Sequence, residues 1–515
     1  MAEKGLFARL FGRGGEAAPA EPAAAPQQRI ARGRRRGARA EYDGATLGRR
    51  SAGWRRTSLD ANGELTPAAQ AALRGIASDL VRNNPWAARG EAAIAEHMVG
   101  TGITFQVYRN GKLDKKLSAI VREHLDTTSC DASGGLDLYG LQLQAARSIV
   151  ERGGAVVRRR WRRATDRLPM PFQLQVLEPD YIDPSKHGPI GKDGSNGAYI
   201  INGVQFSPLG TREGYWLYSG HPGSPVNRQF GSTFVSAADV AHVFRADRPE
   251  QVHGATWFGP VILRMKDLGD FEDAELSRQK IAAAFAGALE SDDESTVIPG
   301  IQTDEDGIDG QEPLDFIEPG TFQKLRPGEK VNWSTPPQVN GYADFTKVSK
   351  QAIAAGLGVP YEMLTGDLSQ VSFISGRLGR LNFKTSIATW QWQMFIPKFC
   401  LNVGRWAIEA LEMMGEDVRG VTIRWTPPRV ELLDPASEVP AIRDAIRSGQ
   451  MTISQAARER GEDPDTFLDE WQADAAELDR RGLIFDSDPR KVTAVGNPTN
   501  NDPAARAARE KRGPA

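Results

Sequence analysis

Apolar positions recur at helical spacing in some stretches of the chain and at every second position in others, and the two regimes divide it. Thr66–Pro67 supplies a cap and an N1 proline, Gln70 follows, and Leu73, Ile76, Ala77 and Leu80 continue at i, i+3, i+4 and i+7, which predicts a helix. Asn83–Asn84–Pro85 ends it, and a second helix is predicted from Ala87 to Val99. Between Ala155 and Ile182 the period shortens to two, with Val156–Val157 and then Phe172, Leu174 and Val176. Ala198 to Ile201 and Tyr215 to Tyr218 extend this β-rich part, punctuated by Asn202–Gly203 and His221–Pro222–Gly223.

From Ala255 onward helical spacing dominates. Leu263, Leu268, Phe271, Ala274, Ile281 and Phe285 predict one long helix over 263–289, and an irregular acidic segment occupies 290–340. Asp344 is the expected N-cap of the next helix, carried by Phe345, Val348, Ala352 and Ala355 and stopped by Gly356 and Gly358–Val359–Pro360. A third helical region runs from about Ser372 to Met414. Unbroken, it would approach ~65 Å at ~1.5 Å per residue, and Pro397 is expected to kink or divide it. The class predicted is α+β, with an elongated subunit and no internal repeat.

Length and composition narrow the reading. A chain of 515 residues with 40% hydrophobic and 25% charged side chains allows two to four ordinary folded domains. Its 64 basic and 66 acidic side chains nearly cancel, which argues against coating nucleic acid through charge alone. Only Cys130 and Cys400 occur, far apart, so a disulfide framework is not expected and a reducing cytoplasm fits. No apolar run is long enough to span a bilayer, and Leu6, Phe7 and Leu10–Phe11 are too broken by charge for a signal peptide. Residues 1–60 are poor in core formers, with an Ala/Pro stretch from Ala17 to Pro26 and then Arg29, Arg32, Arg34, Arg35, Arg36 and Arg39. They read as a disordered basic arm, either a solvated tail or an arm for nucleic acid or scaffold. The stretch from Asp486, ending in Arg506, Arg509, Lys511 and Arg512, reads as a second loose tail.

Catalytic signatures are not found. There is no P-loop, no glycine fingerprint between strand and helix, and no GxSxG elbow. The six histidines form neither an HExxH pair nor a partner for a CxxC, so no metal, cofactor or catalytic residue is expected. Asp304–Glu305–Asp306–Gly307–Ile308–Asp309–Gly310 superficially suggests a calcium loop, but Ile308 and Asp309 stand where an oxygen ligand and a glycine are needed. Two charge features remain. Between Lys280 and Lys324 there is no cation, while Asp292, Asp293, Glu294, Asp304, Asp306 and Asp309 are among the acids. This run is a solvated loop, a wall that would repel phosphate, or an outward surface for a basic partner. Arg158, Arg159, Arg160, Arg162 and Arg163 surround Trp161, and alternation sends them to both faces of a strand. A solvated edge strand is the expected explanation, with some of them paired to acids or reaching an interface.

Several stretches then match a known pattern. They are Val235 to Ala282, with Ala237–Ala238–Asp239–Val240–Ala241–His242–Val243–Phe244, Arg248–Pro249, Gln251, Gly254 and Leu268 to Glu275; Leu325 to Glu329; Ile353 to Glu362; Gly366 to Ser369; Ser372 to Arg377; and Leu177 to Asp180. In order and spacing the chain resembles the lambda-like portal protein family of tailed bacteriophages and prophages, over roughly residues 50–485. His253 departs from the pattern, which has a basic residue before the glycine.

After the basic arm at 1–60, the resemblance implies a wing of mixed α/β structure at 61–262 and stem helices at 263–289 and 341–360. It further implies a small clip at 290–340 and a tunnel loop at 361–376, then a long kinked helix and wing return at 377–435. A helical crown at 436–485, with helices around Ile442 and Phe467–Trp471, completes it, ahead of the loose tail at 486–515. It implies a ring of about twelve copies at one capsid vertex, through which double-stranded DNA passes without sequence preference during packaging and ejection. Expected partners are the terminase large subunit, head-completion and tail connector proteins, and the major capsid and scaffold proteins, with no membrane. The expected location is the virion, and the host bacterial cytoplasm during assembly. Packaging power would come from the terminase, in keeping with the missing P-loop. The residues expected to face DNA in the tunnel loop are Thr365, Asp367, Ser369, Gln370, Ser372 and Ser375, short polar side chains suited to water-bridged, sequence-blind contacts; the alternative is a plain helix–helix connection with Ser372 as its N-cap. The alternatives are another capsid-associated structural protein, shell or scaffold, or a capsid maturation enzyme.

Overall fold

Short polar side chains open the helices of the computed structural model, which describes residues 53, 57–190, 197–226, 231–284, 341–369, 371–428 and 434–483. The basic arm except its last residues, the acidic segment with Asp292, Asp293, Glu294, Asp304, Asp306 and Asp309, Gln370, and the C-terminal tail lie outside them. The chain divides into two units, Met1–Ser58 and Leu59–Ala515, and everything below concerns the second.

Its N-terminal helices are α1 (Ala61–Glu64), α2 (Pro67–Asn83) and α3 (Pro85–Val99). Thr66 Oγ1 accepts the Ala69 N–H at 3.3 Å, and Asn84 Oδ1 accepts those of Trp86 and Ala87 at 3.0 and 3.1 Å. Asn84 thus ends α2 and caps α3, each helix having proline at its start. Strands β1 (Thr104–Arg109) and β2 (Lys112–Leu113) and helices α4 (Lys115–Leu125) and α5 (Leu138–Arg152) follow. The expected β-rich part contains β3 (Ala155–Trp161), β4 (Phe172–Leu177), β5 (Gly188–Pro189), β6 (Tyr199–Ile201), β7 (Val204–Phe206), β8 (Arg212–Tyr218), β9 (Ser232–Ser236) and β10 (Val240–Val243). The Asn202–Gly203 turn joins β6 to β7, with Asn202 at φ 47° and Gly203 at φ 84°.

The second half holds α6 (Ile262–Ala284), α7 (Tyr342–Leu357), α8 (Tyr361–Thr365), α9 (Phe373–Trp390), α10 (Leu401–Met413), β11 (Val421–Thr426), α11 (Pro435–Arg447), α12 (Ile453–Glu459) and α13 (Pro464–Arg481). The strands form three antiparallel sheets, β11-β1-β2, β10-β3-β4 and β5-β6-β7-β8-β9. A large core joins α2, α3 and α5 to the first two sheets, α6, α7 and the long C-terminal helical run, and a smaller one lies between the second and third sheets. The α+β class is as expected.

Two expectations are corrected and one is refined. Helix α7 starts at Tyr342 behind Gly341 at φ 106°, which places Asp344 in the first turn and not at the cap. An acid there still favours the positive end of the helix. Pro397, expected to kink or divide the long helix, lies in Gln391–Cys400, a π-helical segment between α9 and α10 that accommodates the proline ring. Third, the arginine-rich β3 is the central strand of its sheet, not an edge. Arg159, only 6% exposed, reaches Asp239 Oδ1 at 2.6 Å and Glu409, and its guanidinium lies 4.2 Å from the Trp161 ring centroid. Arg160 and Arg162 donate to Gln175 and Gln173 across the pair with β4. Arg159 therefore ties the sheet to a helix while Arg160 and Arg162 brace neighbouring strands, and the chain alone could not reveal the tie because both acids are more than 75 residues away.

Candidate functional site

The stretch from Pro360 to Ser375 is half helix and half loop. Gly358, at φ 73°, stops α7, and one turn later α8 ends on Gly366 at φ 71°, whose N–H donates to Glu362 O at 2.8 Å. Thr365 belongs to α8, where its hydroxyl donates to Tyr361 O at 2.9 Å and accepts the Asp367 N–H at 3.2 Å. Asp367 Oδ1 accepts the Ser369 N–H at 3.0 Å, and hydrogen bonds from Ser369 hold this carboxyl below the usual carboxylate value. Ser372 and Ser375 form a reciprocal capping box: Ser375 N–H donates to Ser372 Oγ at 3.2 Å and Ser372 N–H to Ser375 Oγ at 3.0 Å. Ser375 is inside α9, so the loop proper is 366–372, shorter than the 361–376 expected. Of the side chains expected to line a channel, Asp367, Ser369 and Ser372 are exposed on this loop and Ser375 is exposed on α9, and Leu368, 68% exposed, stands between the first two.

Helix α9 presents three faces. Phe383 and Ile387 are buried against the core. Arg377, Arg380 and Lys384 follow one another at i, i+3 and i+7, with Arg377 held 3.6 Å from Glu438 of α11. Ile374, Leu378 and Leu381, at i, i+4 and i+7, are 78%, 60% and 48% exposed. A solvated helix normally turns such a stripe inward. Sequence reasoning noted the helix but missed these stripes, because periodicity shows that a face is apolar and not whether anything covers it.

Helices α6 and α7 pair through aromatic contacts. The Phe271 ring stacks on Tyr342 with centroids 5.7 Å apart and tilts against Phe345 at 4.5 Å, and Lys350 Nζ lies 3.5 Å from Glu272. The face of α6 turned away from α7 carries Leu263, Asp267, Asp270 and Ala274, all exposed.

Among the described residues one trio has metal-ligand spacing, Glu178, Asp180 and His221. It is already engaged. Arg152 reaches Glu178 at 3.3 Å and Asp180 at 3.7 Å, and Arg74 lies 3.8 Å from Asp180. His221 Nδ1 accepts the Gly223 N–H at 3.0 Å, so in the neutral ring Nε2 carries the proton and donates to Glu178 at 3.1 Å. Both carboxylates are thus ion-paired with arginines, and the trio ties α2 and α5 to the loop at 221.

A family model described as phage portal protein, lambda family, matches residues 47–391. Among curated proteins, the probable portal protein of Halomonas phage phiHAP-1 is 25% identical over 443 residues, covering 80% of this chain and 81% of that protein. Portal protein B of Escherichia phage lambda is 24% identical over 355 residues, 58% of this chain and 61% of the relative. The portal protein of Escherichia phage N15 is 24% identical over 372 residues, 65% of this chain and 68% of the relative. Among solved structures, a chain in the neck of a native GTA particle computed with C12 symmetry superposes with a TM-score of 0.41 at 14% identity, covering 78% of this chain and 95% of that one.

Proposed function

Because this chain belongs to the lambda family of phage portal proteins, and is a portal protein by that membership, we propose that its copies close into a ring at one vertex of a capsid, the channel for DNA packaging and ejection. The observation that carries the reading is the extent of the family match, which runs from before α1 through α6, α7 and the loop at 366–372 to the end of α9. In the ring the terminase large subunit docks first, and head-completion or tail connector proteins follow. The major capsid and scaffold proteins surround the rim, so the mature location is the virion. The family is structural rather than enzymatic. Purified full-length protein is therefore expected to form closed particles of about twelve copies that hydrolyse no ATP above a buffer blank. Negative-stain images and light scattering check this, and a persistent monomer in the presence of scaffold and capsid protein would count against it.

The acidic segment at 290–340, with Asp292, Asp293, Glu294, Asp304, Asp306 and Asp309, is the proposed clip, and it either lines the channel or meets the terminase. The loop at 366–372 is the proposed tunnel loop, with Asp367 and Ser369 directed at the passing duplex. Its exposure and the independent caps on both sides, Gly366 and the Ser372–Ser375 box, support a loop that can change while the helices stand. Removing Ser369–Val371 is expected to leave ring formation intact and to lower the number of capsids that retain their genome. Capsids that package and hold DNA like the parent would remove this role from the loop.

A further inference from the structure

We propose that the exposed face of α9 is one half of the joint between neighbouring copies, and that it docks on the outward face of α6 in the next copy. This rests on the ring reading above and names the surfaces that would make it. Two exposed faces on one chain differ in chemistry in a complementary way. On α9 the apolar stripe Ile374–Leu378–Leu381 runs beside Arg380 and Lys384, both exposed and without an ion-pair partner among the described residues. Beyond the stripe, Trp392 is 55% exposed on the π-helical segment that continues α9.

On α6, Leu263 is 75% exposed, and Asp267, Asp270 and Ala274 follow it at i+4, i+7 and i+11 on the same face. Asp270 meets Lys266 at 3.6 Å with both side chains 69% exposed, while Asp267 has no ion-pair partner among the described residues. The small, exposed Ala274 leaves room for bulky side chains to approach this face of the helix closely. Acids and a leucine on one side thus face cations and leucines on the other.

The occupant follows from the charges. A second copy docked by α9 on α9 would bring Arg380 and Lys384 against their own equivalents, so a two-fold dimer through this face is disfavoured. Pairing α9 with α6 is head-to-tail. Each copy then has one face of each kind to offer, and such a contact continues from copy to copy until it closes. Because the attraction is between exposed charges, assembly through it weakens as salt rises.

The test is a charge exchange in the full-length chain. Reversing the cations in R380E/K384E is expected to lower the ring population at a fixed protein concentration at least about tenfold, and adding D267K/D270K to the same chain should restore it to within about threefold. Sedimentation velocity reads the populations, and unchanged far-ultraviolet circular dichroism spectra show that these exposed substitutions leave the fold intact. A second measurement does not depend on charge. Leu378→Cys together with Ala274→Cys, treated with a short bismaleimide, should give a ladder of covalent multimers, whereas either cysteine alone should not extend beyond a dimer. The native Cys130 and Cys400 are both buried and do not compete. Rings of R380E/K384E as abundant as the parent's, a four-residue exchange no better than R380E/K384E, or no ladder from rings that form normally would each overturn this joint and leave the ring reading standing. Failure of the unmodified chain to form rings at any salt concentration would overturn the ring reading, and this joint with it.

Discussion

Acidifying the folded chain from pH 7 to pH 4 is expected to remove several kcal/mol of its stability, because it buries histidines in neutral form. His124 is fully buried, neither ring nitrogen has a hydrogen-bond partner among the described residues, and burial lowers its pKa to about 4. His253 donates from Nε2 to Asn202 O at 2.9 Å, leaves Nδ1 without a partner, and is pushed to about 3, chiefly by burial. His242, 5.4 Å from His253 between ring centroids, is held well below the usual histidine value by burial and by that neighbour. Each group binds its proton more readily in the unfolded chain. The stability it contributes is complete above pH 6.5 and declines as the pH falls toward the folded-state pKa. By pH 4 that is about 3 kcal/mol for each of His124 and His253. Glu91 acts in the opposite direction: burial raises its carboxyl to about 7, so acidification relieves a penalty and offsets roughly one histidine. Urea unfolding at pH 7 and pH 4.5 reads the difference. His124→Phe should shrink it and Glu91→Gln should enlarge it. A pH dependence unchanged by His124→Phe would mean that this ring does not titrate as its burial requires.

Trp406→Ala is expected to destabilise the chain by about 3–5 kcal/mol, the range for deleting a large buried aromatic. Trp406 is fully buried on α10, its Nε1 donates to Ala238 O at 2.7 Å, and its ring lies 5.6 Å from the Arg159 guanidinium. The same arginine bridges Asp239 and Glu409, so the indole forms one wall of a polar cluster that joins β3 and the turn before β10 to α10. Removing it opens a cavity and admits water to that arginine. Trp406→Phe keeps most of the ring but abandons the Ala238 carbonyl, and about 1–3 kcal/mol is expected. Denaturant midpoints at one protein concentration, held fixed because assembly would shift them, check both values. A loss below 1 kcal/mol for the alanine variant would show that the cluster closes without the indole.

Local chemistry made much of this fold legible in the chain. Thr66, Asn84 and Ser372 act at helix ends as their side chains dictate and Gly358 as its backbone freedom allows, and β3, β4, β6 and β8 fall where the period shortens to two. What stayed hidden depends on partners distant in sequence. A run of arginines reads as a solvated edge until Asp239 and Glu409 arrive from 80 and 250 residues away. A proline reads as a break until the neighbouring turns widen around it. The turn at Gly366 and the cap at Ser372 stand where the chain offered them, but Ser375 completes that cap inside α9 and Thr365 belongs to a helix. The exposed stripes of α9 and α6 needed burial, not periodicity, to be seen.

The pairing of β1 with β11 sets a schedule for the nascent chain. Thr104 lies opposite Thr426, 322 residues later, so one edge of β1 receives its strand only after most of the polypeptide has left the ribosome. At roughly 5–20 residues per second that delay is on the order of tens of seconds. Throughout it, Phe105 and Val107 sit on an open strand edge without Trp425 and Ile423 opposite them, the kind of edge that recruits other chains. Synthesis of this protein in quantity should therefore draw on holding chaperones during translation, and slower elongation between codons 110 and 420 should raise the share of chains lost to aggregation.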